Sequence, residues 1–274
     1  MEHDRIAAHY NIDNMANGVL QAIEKEKGTL KGLKVNDLVP LDGFHIRGRK
    51  STIELSELLQ IIPTDTILDV GSGLGGAARY LASQYGCHVV GLDLTPSYVS
   101  LARDLSELVG LQGINTFKCG NALKMPFEKG SFDIVWTEHV QMNISEKKEF
   151  ILELFRALKP CGRLAVHEVF KGEKGEPYLP APWSGDKSTS CIISDADMKQ
   201  LFETTGFTVL EWHDVTDVSS QWFQGILKRL DKSGFPPFGV HLLMGENAKE
   251  KMINVGRSLA EGRAKVIQAV LKKG

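Results

Sequence analysis

From residue 66 onward, apolar runs of strand length alternate with stretches of helical spacing. The runs Thr66–Val70, His88–Asp93, Ile114–Cys119, Phe132–Thr137, Gly162–Val169 and Thr208–His213 predict strands. Helical patterns fill Gly75–Gln84, Pro96–Val109, Glu146–Leu158 and Asp195–Thr205 between them. Strands alternating with helices argue for an α/β fold whose parallel sheet is covered on both faces. Pro96 suits the first turn of its helix, where its missing N–H would be unpaired anyway. Ser194 or Asp195 can cap the Asp195–Thr205 helix, and Gly206 can end it.

Three segments fall outside the alternation. Residues 1–65 hold two helical stretches separated by Gly43-Phe44-His45-Ile46-Arg47-Gly48, and read as an N-terminal helical cap. Residues 170–193 are a long connection rich in Gly, Pro and Ser, with Tyr178 and Trp183 embedded; loops of that length are usually functional or disordered. Residues 219–261 read as helices over Ser219–Leu230 and Glu246–Glu261, followed by a last strand at Ala264–Lys272. The expected organisation is a core over 66–274 with cap insertions at about 170–193 and 219–261, set over the carboxyl ends of the strands, where open α/β sheets bind ligands.

Composition narrows the partners. With 42% hydrophobic and 24% charged residues in 274, the chain resembles an ordinary globular protein. A formal net charge of −2 gives no drive toward nucleic acid or anionic membranes. No apolar run approaches the roughly 18 residues of a membrane span. The N-terminus lacks the basic-then-apolar order of a secretory signal. The expectation is a cytoplasmic protein without membrane insertion, acting as a monomer or homodimer. The four cysteines, Cys87, Cys119, Cys161 and Cys191, form no C-x-x-C pair, and the eight histidines form no H-x-x-x-H. Reduced structural thiols and no metal are expected.

The most informative stretch is Thr66-Ile67-Leu68-Asp69-Val70-Gly71-Ser72-Gly73-Leu74-Gly75-Gly76. Gly71, Gly73 and Gly76 satisfy G-x-G-x-x-G, so the glycines alone do not identify the ligand. Asp69 does more. Its carboxylate would repel a pyrophosphate on the turn and attract an ammonium or sulfonium group. The acid points away from a nicotinamide dinucleotide and toward S-adenosylmethionine.

Further motifs follow in order: Val89-Val90-Gly91-Leu92-Asp93, then Gly120-Asn121-Ala122-Leu123-Lys124-Met125-Pro126-Phe127, then Phe132-Asp133-Ile134-Val135-Trp136, then Leu158-Lys159-Pro160-Cys161-Gly162-Arg163-Leu164. The ordered set resembles the class I S-adenosylmethionine-dependent methyltransferases. That resemblance implies a Rossmann-like, three-layer αβα fold with a seven-stranded, mostly parallel sheet whose last strand is antiparallel. It implies that Gly71 and Gly73 let the backbone approach the methionine part of the cofactor. Asp69 would face the ammonium, Asp93 would accept the ribose hydroxyls, and Leu94 would cover the adenine. Asn121 and Ala122 fall where the family contacts the adenine, Asn121 replacing a usual Asp. Asp93 as a helix cap and Asn121 as a plain turn residue stay open. Asp133 and the Lys159–Gly162 turn read as structural.

The segment from Thr137 to Asn143 lies where the family places residues beside the sulfonium. Thr137 is a candidate cofactor contact. His139 is the first candidate for orienting or deprotonating the acceptor, with Glu138 beside it. His167 and Glu168 end the fifth predicted strand and can face the site, and a buried Glu168 requires a partner. The run Leu41–Arg49 and the run Pro180-Ala181-Pro182-Trp183 make the chain similar to the sarcosine/dimethylglycine methyltransferases. That likeness suggests an amine acceptor held by aromatics among Tyr10, Tyr178, Trp183, Trp222 and Phe223, with Arg47 or Arg49 for a carboxylate. The same cap could close over a quinone, phenol or isoprenoid-like acceptor for C- or O-methylation. A non-catalytic S-adenosylmethionine-binding protein is the reading from a different class. The absence of an Asn/Asp-Pro-Pro-Tyr/Phe sequence and of a basic stripe argues against a nucleic-acid substrate and for a small-molecule acceptor.

Overall fold

The computed structural model describes residues 15–245 and 247–274. The N-terminal part holds α1 (Met15–Lys27), a 3-10 turn (Val35–Leu38), α2 (Val39–Asp42) and α3 (Arg49–Glu57). The β/α succession then runs β1 (Thr66–Val70), α4 (Gly76–Tyr85), β2 (His88–Asp93), α5 (Pro96–Leu108), β3 (Asn115–Cys119) and β4 (Phe132–Glu138). It continues with α6 (Lys147–Ala157), β5 (Leu158–Lys171), α7 (Asp195–Thr205), β6 (Phe207–Asp214), α8 (Thr216–Ser233), α9 (Ala248–Ala260) and β7 (Ala264–Lys273). The strands form one seven-stranded sheet in the order β3-β2-β1-β4-β5-β7-β6. Strands β1 to β5 pair in parallel, and β7 runs antiparallel between β5 and β6. The switch in strand order between β1 and β4 opens a crevice at the carboxyl ends, which is where the ligand site lies.

Alternate residues of each strand serve opposite faces. Leu68, Val135 and Leu164 pack with Phe150, Ile151 and Leu154 of α6 and with Met198 and Phe202 of α7. Their neighbours Ile67, Ile134 and Ala165 pack with Ala78, Leu81 and Ala82 of α4 and Val99 and Ala102 of α5. Leu55 of α3 belongs to that second layer, so part of the expected 1–65 cap is sheet-covering core. The Gln268 side chain on β7 donates to Ser51 O at 2.8 Å and fastens α3 further. Pro96 opens α5 behind Thr95, Ser194 accepts the Asp197 amide at 3.1 Å, and Gly206 ends α7 at φ 108°.

Strand β5 departs most from the sequence reading. It starts at Leu158, already paired with Phe132, and the expected Lys159–Gly162 reversal is absorbed as an irregularity in the strand. Cys161 takes φ 60° there, and Lys159 Nζ reaches back to Asp133 at 2.8 Å. Asp133 also accepts the Thr66 amide at 2.9 Å and so ties down the entrance of β1, as its structural reading required.

Two side chains fix the N-terminal segment to the core. Arg79 of α4 is fully buried and donates to Asp42 at 2.5 Å and to Leu74 O at 2.6 Å. Asp42 also accepts from Arg49 at 2.7 Å. Gly76 permits this approach, because a Cβ there would lie 2.1 Å from Asp42 O. All four cysteines are free thiols, and no helix among the described residues is long and apolar enough to cross a membrane.

Candidate active site

One continuous cavity lies over the carboxyl ends of β1, β2 and β4. Its floor is the glycine turn after β1. Gly71 and Ser72 donate to Leu92 O at 2.7 and 3.0 Å, which bends the chain around the end of β2. Gly73 takes φ 52° and has open space where a Cβ would project. Asp93 Oδ2 accepts the Gly73 amide at 2.9 Å, and Oδ1 accepts the Thr95 amide at 2.8 Å. Asp93 therefore caps the approach to α5 and lines the cavity as well. Leu94 and Ala122 line the same end. Asn121 does too, while its side-chain oxygen accepts the Leu123 amide at 2.8 Å in the turn role left open by the sequence.

Asp69 supplies the test of whether a cationic cofactor fits. It is 2% exposed, and its Oδ2 has no hydrogen-bond partner among the described residues. Burial, with Glu138 and Asp93 adding repulsion, holds its carboxyl well above the usual range. An unsatisfied buried acid is costly unless something binds it. The ammonium and sulfonium of S-adenosylmethionine match that need, and the residues present fit the group.

The polar wall opposite comes from β4, the turn after it and the loop 43–48. That loop closes because Gly43 and Gly48 touch backbone to backbone; a Cβ on Gly43 would lie 2.4 Å from Gly48 Cα. The closure presents His45 and Ile46 to the cavity. His45 Nε2 lies 3.4 Å from Glu138 Oε2, and Thr52 Oγ1 donates to Glu138 at 3.2 Å. Burial pushes Glu138 up to about 7 and His45 down to about 4. His139, at φ 57°, stacks on His167 at 5.1 Å between centroids. Burial, then the neighbouring His167 and His45, holds His139 well below its usual range. His167 donates or accepts at Nε2 with Ile46 O, 3.0 Å away; a carbonyl only accepts, so Nε2 carries the hydrogen.

The far half of the cavity is apolar. Phe44, Ile46, Met142, Trp183, Trp222, Phe223, Met244 and Met252 wall it. Trp183 is fastened by its indole to Ser190 at 3.3 Å and by its carbonyl to Asn143 at 2.7 Å. Among the described lining residues there is no lysine or arginine.

The cavity brings together most of the residues singled out from the sequence: Asp69, Gly71, Gly73, Asp93, Leu94, Asn121, Ala122, Glu138, His139, Trp183 and Trp222. Three stand elsewhere. Thr137 is turned behind the wall, where its hydroxyl donates to Glu168 at 2.9 Å. Arg47 is buried against Glu54. Tyr178, in the 170–193 connection, packs against α9 and the turn after it, stacked between Arg257 and Arg263 at 4.1 and 4.5 Å, with its hydroxyl on Glu261 at 2.6 Å. Glu168 stays off the lining too and has the partners burial demands: it accepts from Thr137, Val140 and Gln141. Tyr10 lies outside the described residues. Sequence reasoning missed His45; the glycines flanking its loop were the available signal, since a loop pinched at both ends fixes what it presents.

Residues 68–166 match the family model described as a methyltransferase domain. A tocopherol O-methyltransferase of Arabidopsis thaliana is 38% identical over 100 residues, covering 36% of this chain and 29% of its own length. A glycine/sarcosine/dimethylglycine N-methyltransferase of Actinopolyspora halophila is 31% identical over 192 residues, covering 70% of this chain and 34% of its own length. The chain spans about a third of the length of these curated relatives. The solved structure of a putative sarcosine dimethylglycine methyltransferase from Galdieria sulphuraria superposes with a TM-score of 0.71 at 19% identity, covering 86% of this chain and 93% of that one. Its fold is the seven-stranded arrangement described above. With an acid-and-glycine turn beneath a cavity that suits a cationic cofactor, residues 68–166 are a class I S-adenosylmethionine-dependent methyltransferase domain.

Proposed function

We propose that this protein transfers a methyl group from S-adenosylmethionine to a small, uncharged, largely apolar acceptor, of which a lipophilic phenol or quinol is the model. The observation that carries the reading is the far half of the cavity. Aromatic and sulfur-bearing side chains wall it, and its described lining holds no cation for a carboxylate or phosphate. The amino-acid acceptor suggested by sequence requires Arg47 or Arg49 at the site. Both guanidiniums are committed elsewhere, Arg47 to Glu54 and Arg49 to Asp42. A relative named for tocopherol is in keeping with an apolar acceptor.

Asp69 would hold the ammonium end and Asp93 the ribose hydroxyls, each with lone pairs left over from its protein contacts. The bound cofactor supplies a methyl carbon on a positively charged sulfur, so the chain's task is alignment of a nucleophile. Trp183, Trp222 and Met252 would exclude water and hold the acceptor's apolar body. His139 and Glu138 would meet its reacting end. A labelled-methyl transfer screen tests the reading across alkylated phenols, hydroquinones, glycine derivatives and phosphoethanolamine. Label is expected in the lipophilic, uncharged class. Transfer chiefly to glycine derivatives or phosphoethanolamine overturns the acceptor reading, and binding of S-adenosylhomocysteine without any transfer favours a binding protein.

A further inference from the structure

We infer that His45 and Glu138 share one proton across the cavity wall and act together as the base that takes the acceptor's hydroxyl proton. The inference deepens the proposed function and rests on it for the identity of the acceptor group. It begins with Ser51. The Ser51 hydroxyl lies 2.9 Å from Ile46 O, 2.8 Å from Gly48 O and 3.1 Å from His45 Nδ1. Two carbonyls can only accept, and at 2.8 and 2.9 Å they are nearer than the ring, so the single hydroxyl hydrogen is assigned to one of them rather than to His45. Ser51 then accepts from His45, which places the ring hydrogen on Nδ1 and a lone pair on Nε2.

That lone pair faces Glu138 Oε2 at 3.4 Å. Thr52 Oγ1 lies 3.2 Å from both Glu138 oxygens and 3.3 Å from Nε2, so its one hydrogen serves either the carboxylate or the ring and cannot satisfy both. A lone pair set against an ionised carboxylate in a buried site is repulsive. One proton between Nε2 and Oε2 removes the repulsion. The directions of the two shifts, Glu138 upward and His45 downward, agree with that proton resting on the carboxyl side.

Other charged groups facing the pair do not supply the proton. His139 and His167 stay neutral because burial holds both low. Asp42 is paired with both Arg49 and Arg79, and a guanidinium does not give up a proton. Asp69 is itself a buried acid awaiting a cation. His45 and Glu138 both line the cavity, so an acceptor hydroxyl can reach them. Once the pair has lost its shared proton it is a base. The acceptor oxygen then gives its proton to the pair and uses the freed electron pair to form the O–CH3 bond. The C–S bond breaks with its electrons left on sulfur, and charge balances.

The test is read first on the protein alone. In histidine-¹⁵N NMR of the whole chain, His45 is expected to show the Nδ1–H tautomer. Its titration should follow the ionisation of the pair, and Glu138→Gln should abolish that step. A His45 in the Nε2–H tautomer, or a spectrum indifferent to Glu138→Gln, overturns the inference even if the acceptor screen succeeds. With trimethylhydroquinone as probe acceptor, His45→Gln and Glu138→Gln should each lower kcat by about 100-fold. The double variant should be no worse than either single one, because the pair acts as a unit. Affinity for S-adenosylhomocysteine should stay within about threefold in His45→Gln. Additive losses, or a kcat–pH profile unchanged by His45→Gln, overturn the catalytic role. If trimethylhydroquinone is not methylated, the acceptor reading fails while the spectrum still decides the shared proton.

Discussion

Val140 occupies the space that any side chain on Gly71 would need: a Cβ built at Gly71 would sit 2.3 Å from Val140 Cγ2. The turn after β4 is thereby pressed onto the turn after β1, and the two walls of the cavity share one contact. Gly71 also takes φ 71°, which disfavours any L side chain by about 1–2 kcal/mol. Gly71→Ala should cost about 2–4 kcal/mol of stability from strain and overpacking together. It should also weaken S-adenosylhomocysteine binding at least tenfold. Denaturant unfolding and calorimetry measure the two, and adding Val140→Ala should recover part of the loss. No recovery would mean that φ alone is at fault.

Glu168 holds that same turn from behind. Its carboxylate accepts the amide hydrogens of Val140 at 2.9 Å and Gln141 at 3.3 Å and the Thr137 hydroxyl at 2.9 Å. Lys147 Nζ, buried nearby, donates to Gln141 O. Glu168→Ala leaves three donors unserved and a buried ammonium without its counter-charge, at an expected cost of about 3–5 kcal/mol. His139, at φ 57° immediately before the tethered amides, should lose its fixed ring position. Loss of the His139–His167 stacking signature in NMR checks this. A variant as stable as the parent would show that the turn is held by something else.

The sheet was legible because its central strands are nearly continuous apolar runs and its helices carry ordinary start and stop signals such as Pro96 and Gly206. The cofactor half of the site was legible for a related reason: Asp69 is the penultimate residue of β1, just before its glycines, and Asp93 ends β2, and strand ends at a crevice have one place to go. The acceptor half was not. Arg47 and Tyr178 sit in the segments that cover the cavity, yet ion pairing to Glu54 and stacking on Arg257 and Arg263 draw them off it. Thr137 belongs to the site by sequence position, but strand alternation turns it to Glu168. His45 is the converse case: only the tertiary fit of the 43–48 loop against β4 makes it part of the wall.

Asp69 should reveal itself through opposite effects on binding and folding. A buried carboxyl with an unpartnered oxygen is a liability to the empty fold. Asp69→Asn should therefore leave the melting temperature unchanged or raised while lowering S-adenosylmethionine affinity at least tenfold. Because burial keeps Asp69 protonated to higher pH than usual, docking of an ammonium should expel a proton, and affinity should rise with pH. Calorimetry in two buffers of different ionisation enthalpy measures the release. A heat independent of buffer would remove Asp69 from that role.

Tyr178 is placed to hold the cap rather than the acceptor. Its ring is clamped by two guanidiniums, and its amide donates to Ser258 at 2.9 Å. Five residues on, Trp183 enters the cavity. Tyr178→Ala should raise KM for the acceptor several-fold with little change in cofactor affinity, whereas Tyr178→Phe keeps the stacking and should lose less than about 1 kcal/mol of stability. Equal kinetic damage from both would put the weight on the Glu261 hydrogen bond.

The pair His45 and Glu138 should tilt the stability–pH curve in opposite directions. Glu138 is raised from 4.5 to about 7, so between those values the folded state keeps a proton the unfolded chain has lost. Its contribution is full below pH 4.5 and disappears as pH rises to about 7. His45 is lowered from 6.5 to about 4, so the unfolded chain takes up a proton first, and stability falls as pH drops through that window. Each shift is worth at most about 3 kcal/mol. Glu138→Gln should accordingly gain stability relative to the parent as pH rises from 4.5 to 7, and His45→Gln should gain relative to it as pH falls from 6.5 to 4. Urea unfolding at a series of pH values across both windows measures the two slopes. Parental slopes in both variants would mean that neither side chain titrates differently in the folded state, and the polar wall would then carry no stored proton for catalysis.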